Sequence, residues 1–193
     1  SPSDNLIGYF SANQFLLKEN NLGNAVNIGI SPSLSPGQWA WRMETDIVDG
    51  NYLYASTQGI DSIWITNDGA ATWFRKRFAN GNRAIVTCPS NLNRVYVCGT
   101  TPIWNLPATS FKRSDDKGDT WTANLVANTG LPPITDIAPT DVEVSPVNSN
   151  NVYVVYSGYN TGQKIYFSNN AGVSFTNISA NLPNLYCHTL AID

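Results

Sequence analysis

The amino-acid sequence predicts an all-β fold, a β-propeller of four-stranded antiparallel blades with one kind of hairpin turn recurring from blade to blade. Two observations predict it. The first is an eight-residue pattern that occurs four times. Its cleanest copy is Ser114-Asp115-Asp116-Lys117-Gly118-Asp119-Thr120-Trp121. Thr66-Asn67-Asp68-Gly69-Ala70-Ala71-Thr72-Trp73 is close to it. Ser168-Asn169-Asn170-Ala171-Gly172-Val173-Ser174-Phe175 is softened, and Glu19-Asn20-Asn21-Leu22-Gly23-Asn24-Ala25-Val26 is decayed. The copies begin at residues 19, 66, 114 and 168, so their spacings are 47, 48 and 54. Internal periods of this size mark stacked or radial repeat arrays. The second observation is that each period carries the same order of strand-like segments.

The elements can be justified in order. Each period has an inner strand: Met43 to Val48, Ala84 to Cys88, Asp141 to Ser145 and Thr189 to Ile192. A Pro/Asn-rich turn follows, as in Ser145-Pro146-Val147-Asn148-Ser149-Asn150. The next strand is β-branched and aromatic: Tyr52 to Tyr54, Val95 to Val97 and Val152 to Tyr156. Such side chains fit a pleated, half-buried surface. A third strand, Ile63 to Ile65 or Lys164 to Phe167, leads into the recurring turn, and a fourth leaves it. Four antiparallel strands per repeat make one propeller blade.

The repeats fall at about residues 1–40, 41–82, 83–135 and 136–185 of a single propeller domain or segment, with 186–193 starting another blade or closing the first. Ser1 to Ile7 aligns with Ser145 to Val152, so the chain begins just before a second strand and ends on an inner one. A first residue other than Met fits a processed or excised segment. Two arrangements follow. The chain is an arc of a larger propeller, or it is a four-bladed ring in which Leu190 to Ile192 pairs with Leu6 to Phe10.

The recurring turn has a physical logic that needs no ligand. Its central Asp or Asn accepts hydrogen bonds from turn N–H groups that have no ladder partner. The glycine allows positive φ at little cost. The Ser or Thr hydroxyls add local bonds, and the closing Trp or Phe returns the chain to the core. The residues expected to act in this structural role are Thr66, Asp68, Ala70, Thr72 and Trp73; Ser114, Asp116, Gly118, Thr120 and Trp121; and Ser168, Asn170, Gly172, Ser174 and Phe175. Calcium binding by Asp115 and Asp116 is the alternative, but no run of spaced carboxylates supplies a cage. These segments resemble the Asp-box, or BNR repeat, of sialidase-like and xyloglucanase-like β-propellers, and the period extends the resemblance over the whole chain. It implies that the turns lie on the outer rim, away from the ligand face.

Composition narrows the function. Charged residues make up 13% and aromatics 11% of the chain, with a net charge of −3 and a pI near 5.0. No basic stripe exists to neutralise phosphates, which argues against nucleic acid. The densest cationic run, Arg75-Lys76-Arg77, reads as a solvated face of an outer strand. No apolar run is long enough for a membrane-spanning helix. Cys88, Cys98 and Cys187 lack metal-ligand spacing. If Cys88 pairs with Val95, Cys98 lies opposite Ile85 and a disulfide is strained, so free buried thiols are expected. No cofactor is expected. Low charge with many Asn, Ser, Thr and Gly suits an extracellular or surface protein, and the Asn-Leu-Pro-Asn linker at 181–184 resembles exported bacterial BNR-repeat proteins.

Chemistry is expected where loops enter the inner strands or join the second and third strands. Trp39, Trp41, Arg42 and Glu44 approach one inner strand. Gln58 and Asp61, then Thr101 to Asn105 with Trp104, and then Tyr159 to Thr161 occupy the second-to-third loops. Asp136 and Asp141 precede another inner strand, and Tyr186-Cys187-His188 the last. Trp39, Trp41, Trp104, Tyr159 and Tyr186 then form an aromatic rim suited to sugar rings; the competing reading is that the Trp residues pack between blades. A lone histidine in the place of His188 is expected to be a hydrogen-bonded structural group.

The resemblance offers catalytic templates, and the sequence departs from them. Sialidases need three arginines for a carboxylate plus a Tyr–Glu pair, whereas only Arg42 and Arg83 lie near inner-strand starts. Xyloglucanases carry a segment like Tyr-Ala-Arg-Thr-Asp-Val-Gly-Gly. Here Tyr54-Ala55-Ser56-Thr57-Gln58-Gly59-Ile60 has an amide, Gln58, in place of the carboxylate, and an amide is no general acid or base. The expected function is therefore a non-catalytic binding or scaffolding segment that recognises extracellular polysaccharide or another protein beside the rest of a parent propeller. The rivals are part of a glycoside hydrolase propeller and a protein-docking propeller like those of sorting receptors or assembly factors.

Overall fold

Why the period produces blades is visible in the pairing of the strands. The structure, a computed structural model, describes residues 7–12, 15–20, 25–27, 40–57, 62–77, 84–100, 109–126, 129–132 and 138–192. The first blade contains β1 (Ile7–Ala12), β2 (Phe15–Asn20) and β3 (Ala25–Asn27). The second contains β4 (Ala40–Thr45), β5 (Leu53–Thr57), β6 (Ser62–Thr66) and β7 (Phe74–Arg77). The third contains β8 (Ala84–Thr87), β9 (Val95–Thr100) and β10 (Thr109–Ser114). The fourth contains β11 (Ala138–Ser145), β12 (Asn148–Ser157), β13 (Ile165–Ser168) and β14 (Thr176–Asn177).

Each sheet is an antiparallel meander in chain order. Register repeats from blade to blade. Leu53 faces Thr66, Val95 faces Ser114 and Val152 faces Ser168, so the first turn residue always meets the same point of the second strand. The inner strands follow one another about the axis, β4 against β8 and β8 against β11.

Blades hold together by burying the apolar residues of their facing sides. Tyr54, Ile63 and Ile65 of the second blade meet Ile85, Val95 and Val97 of the third. Tyr96, Phe111 and Val86 of the third meet Val142, Val154 and Phe175 of the fourth. Full burial of one such side chain contributes about 1.5–3 kcal/mol. Strands buried on both faces read as near-continuous apolar runs, as β6 and β8 do.

Several boundaries differ from expectation. The first described inner strand is Ala40–Thr45; beyond it the Asp46 N–H still donates to Tyr52 O, but the Asp46 carboxylate accepts the Val48 and Asp49 N–H groups and turns the chain. The third blade lacks a regular fourth strand among the described residues. There Asn124 Oδ1 accepts from Phe111 N–H and Thr122 Oγ1 from Arg113 N–H, so side chains replace ladder carbonyls. Residues 187–192 form no strand, and no ladder joins them to β1 among the described residues. Cys98 lies opposite Ala84 rather than Ile85, one place from expectation. Cys88 and Cys98 are buried free thiols, and Cys187 is free; burial pushes the Cys88 thiol up to about 12. Phe175 is buried, but Trp73 and Trp121 are only partly so.

Candidate functional site

The two ends of the blades are built differently. At the first end the three described copies of the turn share one hydrogen-bond network. Thr66, Ser114 and Ser168 donate their hydroxyls to Asp68, Asp116 and Asn170 at 2.7, 2.7 and 2.9 Å. The same hydroxyls accept the N–H groups of Ala70, Gly118 and Gly172 at 3.0, 2.7 and 2.9 Å. The central side chains accept the N–H groups of Thr72, Thr120 and Ser174 at 2.8–2.9 Å. Asn51, Asn93 and Asn150 carbonyls, in the preceding turn of each blade, accept the N–H groups of Gly69, Lys117 and Ala171.

The side chains at the shared first, third and seventh positions of these turns are bonded to one another. The Thr72 and Thr66 bonds hold the Asp68 carboxyl down at about 2. At Asp116 burial pushes upward, but bonds from Thr120 and Ser114 outweigh it and the carboxyl is lowered. Asp115 lies between Arg94 at 2.6 Å and Arg113 at 2.8 Å, and no group of three metal-ligating side chains exists among the described residues. A crevice of about 180 Å³ beside Tyr52 and Phe74 is no better a site. Its lysines are paired, Lys117 with Asp46 at 2.9 Å and Lys76 with Asp119 at 3.7 Å. Arg75 and Lys76 are therefore more than a solvated face: Arg75 bonds Ser62 and lies over Trp64, while Lys76 reaches Asp119 of the next blade.

The axial end is open in its bonding. Arg42 of β4 reaches past the third blade to Asp141 of β11, with Nη2 at 2.9 Å from Oδ1 and 3.8 Å from Glu143 Oε1. No N–H is aimed along the Oδ1 lone pair, so the contact is ionic rather than an aligned hydrogen bond. The equivalent register position on β8 is Ala84, whose small side chain leaves Arg42 room to cross. Asp141 is fully buried. Its Oδ2 accepts Thr189 Oγ1 at 2.7 Å and Leu190 N–H at 3.2 Å.

Three carboxylates thus share one arginine. Burial pushes the Glu143 carboxyl up to about 7, Asp141 adds to the effect and Arg42 opposes it. Burial also raises Glu44, against a bond from Thr87.

Beside this cluster stands an aromatic ledge. Tyr159 and Tyr186 meet edge to face with centroids 4.5 Å apart, and Tyr186 stacks on His188 at 6.0 Å and 9°. Tyr159 is 64% and Tyr186 52% exposed. Buried Lys164 ties the two loops, donating to Gly158 O and to Asn184 Oδ1 at 3.3 Å, while Asn184 donates to Tyr159 O at 3.3 Å. His188 is exposed and has no hydrogen-bond partner among the described residues, so it is a stacked surface ring rather than the bonded structural group expected. It adjoins Thr189, which joins the ledge to Asp141.

The structure therefore brings Tyr159, Tyr186 and His188 together and places Arg42 against Asp141. Trp39, Gln58, Asp61, Trp104 and Asp136 lie outside the described residues, as does the side chain of Trp41. Glu143 was not singled out from the sequence. Its only signal is the alternation Asp141-Val142-Glu143 within an inner strand, which puts both acids on one face.

No protein-family model matches the chain, and no curated protein matches it. Solved structures do. An ancestral GH74 enzyme matches with TM-score 0.69 and 16% identity over 92% of this chain and 23% of its own. The GH74 xyloglucanase from Xanthomonas campestris matches with TM-score 0.67 and 17% identity over 95% of this chain and 30% of its own. The Niastella koreensis GH74 enzyme matches with TM-score 0.68 and 18% identity over 94% and 29%. At this identity the likeness shows the fold, a β-propeller. The chain spans less than a third of those structures.

Proposed function

We propose that the chain is a non-catalytic, glycan-binding segment of an exported β-propeller, with turns of the Asp-box kind. One observation carries the reading: exposed, mutually packed Tyr159, Tyr186 and His188 are joined through Thr189 to Asp141 and its cation Arg42 at the axial end. Flat rings stack on sugar faces, and neighbouring carboxylates and Arg42 accept and donate to hydroxyls. The three self-contained turn networks support the Asp-box assignment.

The test is a panel of soluble polysaccharides, xyloglucan among them, titrated calorimetrically against wild type and a Tyr159→Ala/Tyr186→Ala variant. Weak binding is expected, lowered by about 1 kcal/mol per ring removed. Binding unchanged in the variant, or absent throughout the panel, overturns the ledge as a glycan site and favours docking of a protein. A second reading, part of a glycoside hydrolase, has one observation in its favour: Glu143, its carboxyl pushed up to about 7 by burial, shares the inner strand and Arg42 with a second carboxylate, Asp141, and glycoside hydrolysis uses a pair of carboxyl groups. Reducing-sugar release by the wild type that vanishes in Glu143→Gln overturns the non-catalytic reading.

A further inference from the structure

Lys164 is fully buried, and no carboxylate is among its partners in the described residues. A lysine is almost never buried whole unless an acid pairs with it, because its polar end must find other acceptors for the water it loses. The repeat does not ask for one. Lys164 stands four residues before Ser168, the first turn residue of its blade. The matching positions of the second and third blades hold Ser62 and Ser110, both fully buried. Tyr156 N–H donates to Lys164 O at 2.7 Å, so Lys164 lies opposite Tyr156 as Ser110 lies opposite Gly99. The sheet accepts a small side chain at this place, and only the fourth of these blades carries a long one there.

The added length spans two loops. Lys164 Nζ donates to Gly158 O, next to Tyr159, and to Asn184 Oδ1 at 3.3 Å, two residues before Tyr186. Asn184 Nδ2 donates in turn to Tyr159 O at 3.3 Å, which closes the circuit between the loops. The backbone beside Lys164 holds the start of the second loop. Lys164 N–H and Ile165 N–H donate to Ser179 Oγ at 2.8 and 3.0 Å. From there to Tyr186 the chain turns tightly, with Leu182 N–H bonded to Ser179 O at 3.1 Å and Leu185 N–H to Pro183 O at 2.8 Å. A serine at position 164 would be too short to reach either Gly158 O or Asn184.

The bonds of Lys164 therefore converge on the neighbours of two exposed rings. Tyr159 and Tyr186 come from different loops, are each more than half exposed, and meet edge to face at 4.5 Å and 82°. Rings this exposed bury little of each other, so their mutual angle depends on how the loops are held.

We propose that Lys164 is a positioning residue for the glycan ledge: it fixes Tyr159 against Tyr186 before a sugar arrives, and so lowers the ordering cost of binding. This role rests on the ledge being the glycan site, whereas the ring geometry itself is read without any glycan.

The test measures nuclear Overhauser contacts between the Tyr159 and Tyr186 rings in the full chain, for wild type, Lys164→Ser and Asn184→Ala. The buried Tyr96–Phe111 pair is the internal control. Each protein is also titrated with xyloglucan, beside Tyr159→Ala/Tyr186→Ala. Lys164→Ser installs the residue of the matching positions and is expected to fold. Both variants are expected to lose the Tyr159–Tyr186 contacts, to keep the control contacts, and to bind xyloglucan with Kd raised about 3- to 10-fold. Ring contacts as strong in Lys164→Ser as in wild type overturn the proposal. So does a xyloglucan Kd unchanged in Lys164→Ser where Tyr159→Ala/Tyr186→Ala raises it. Xyloglucan binding that is absent, or indifferent to the two tyrosines, counts against the ledge as the site, and the ring contacts then decide the role of Lys164. Should Lys164→Ser not fold, Asn184→Ala decides by the same measurements.

Discussion

The turn end and the axial end of the blades obey opposite rules of construction. At the turn end, the network around Asp116 closes within eight consecutive residues and recurs with nearly the same distances around Asp68 and Asn170. At the axial end, Thr87 meets Glu44 across 43 positions, Thr189 meets Asp141 across 48, and Arg42 of the second blade meets Asp141 of the fourth. Neither the arginine nor the carboxylates recur at the equivalent positions of the third blade, which hold Ala84 and Val86. The difference teaches that the repeated end is a folding device and the unrepeated end is where this molecule departs from its own period. A group that every blade needs recurs. A group that a ligand needs is required only once.

Substitutions can break this comparison at either end. The largest effect is expected at the turn end, from Gly172→Ala. Its φ of +81° is left-handed and the new Cβ would collide with Phe111, so strain and overpacking together should cost about 2–5 kcal/mol. Thermal melting checks it, and an unchanged midpoint would show that the blades are not pressed together at the glycine.

Next is the axial end, where Arg42→Met leaves buried Asp141 without its cation. A loss of about 2–4 kcal/mol is expected, and pairing the change with Asp141→Asn should recover part of it. If the double variant is as unstable as the sum of the single ones, the two side chains do not interact.

The third effect is one of pH. The Glu143 carboxyl rises from its ordinary value of 4.5 to about 7 in the folded chain, so the folded state holds its proton more tightly than the unfolded state. Its contribution is fully present below pH 4.5 and is lost as pH climbs through about 7. Urea midpoints should fall between pH 5 and 8 by the equivalent of about 1–3 kcal/mol, and Glu143→Gln should flatten that slope. A wild-type stability that is level across this window excludes the raised value.

The smallest effect returns to the turns. Asp116→Ala leaves the Thr120 N–H and the Ser114 hydroxyl without their acceptor. Because water reaches this turn, a cost of about 1–2 kcal/mol is expected, with polysaccharide titration curves unchanged. A variant that melts like the wild type yet binds differently would move the ligand to the wrong end of the comparison.

Legibility in the sequence follows the same division. The roles of Ser114, Asp116, Gly118 and Thr120 were readable because donor, acceptor and positive-φ residue lie within a few positions. A local pattern reports directly on a local bond. Strand identity was readable for the same reason, through β-branched runs such as Val152 to Tyr156. The end of β4 at Thr45 was less so, because it depends on Asp46 capturing turn amides and Lys117 from another blade. The fourth strand of the third blade was misjudged because Thr122 and Asn124 take over ladder bonds with side chains, which apolar patterning does not report.

The sequence by itself determined the period, the all-β class and the turn chemistry. Tertiary structure decided which of the expected site residues meet. It stacked His188 on Tyr186, carried Arg42 past Ala84 to Asp141, and raised Glu143 by burying it among like charges. It also bonded Tyr9, Tyr54 and Tyr96 to carbonyls of the following blade, a contact that Tyr153 does not make among the described residues. The physical reason is range. Hydrogen bonds within a turn depend on backbone dihedrals that neighbouring residues set, whereas desolvation, ion pairing and blade-to-blade contact depend on how the whole array is wound.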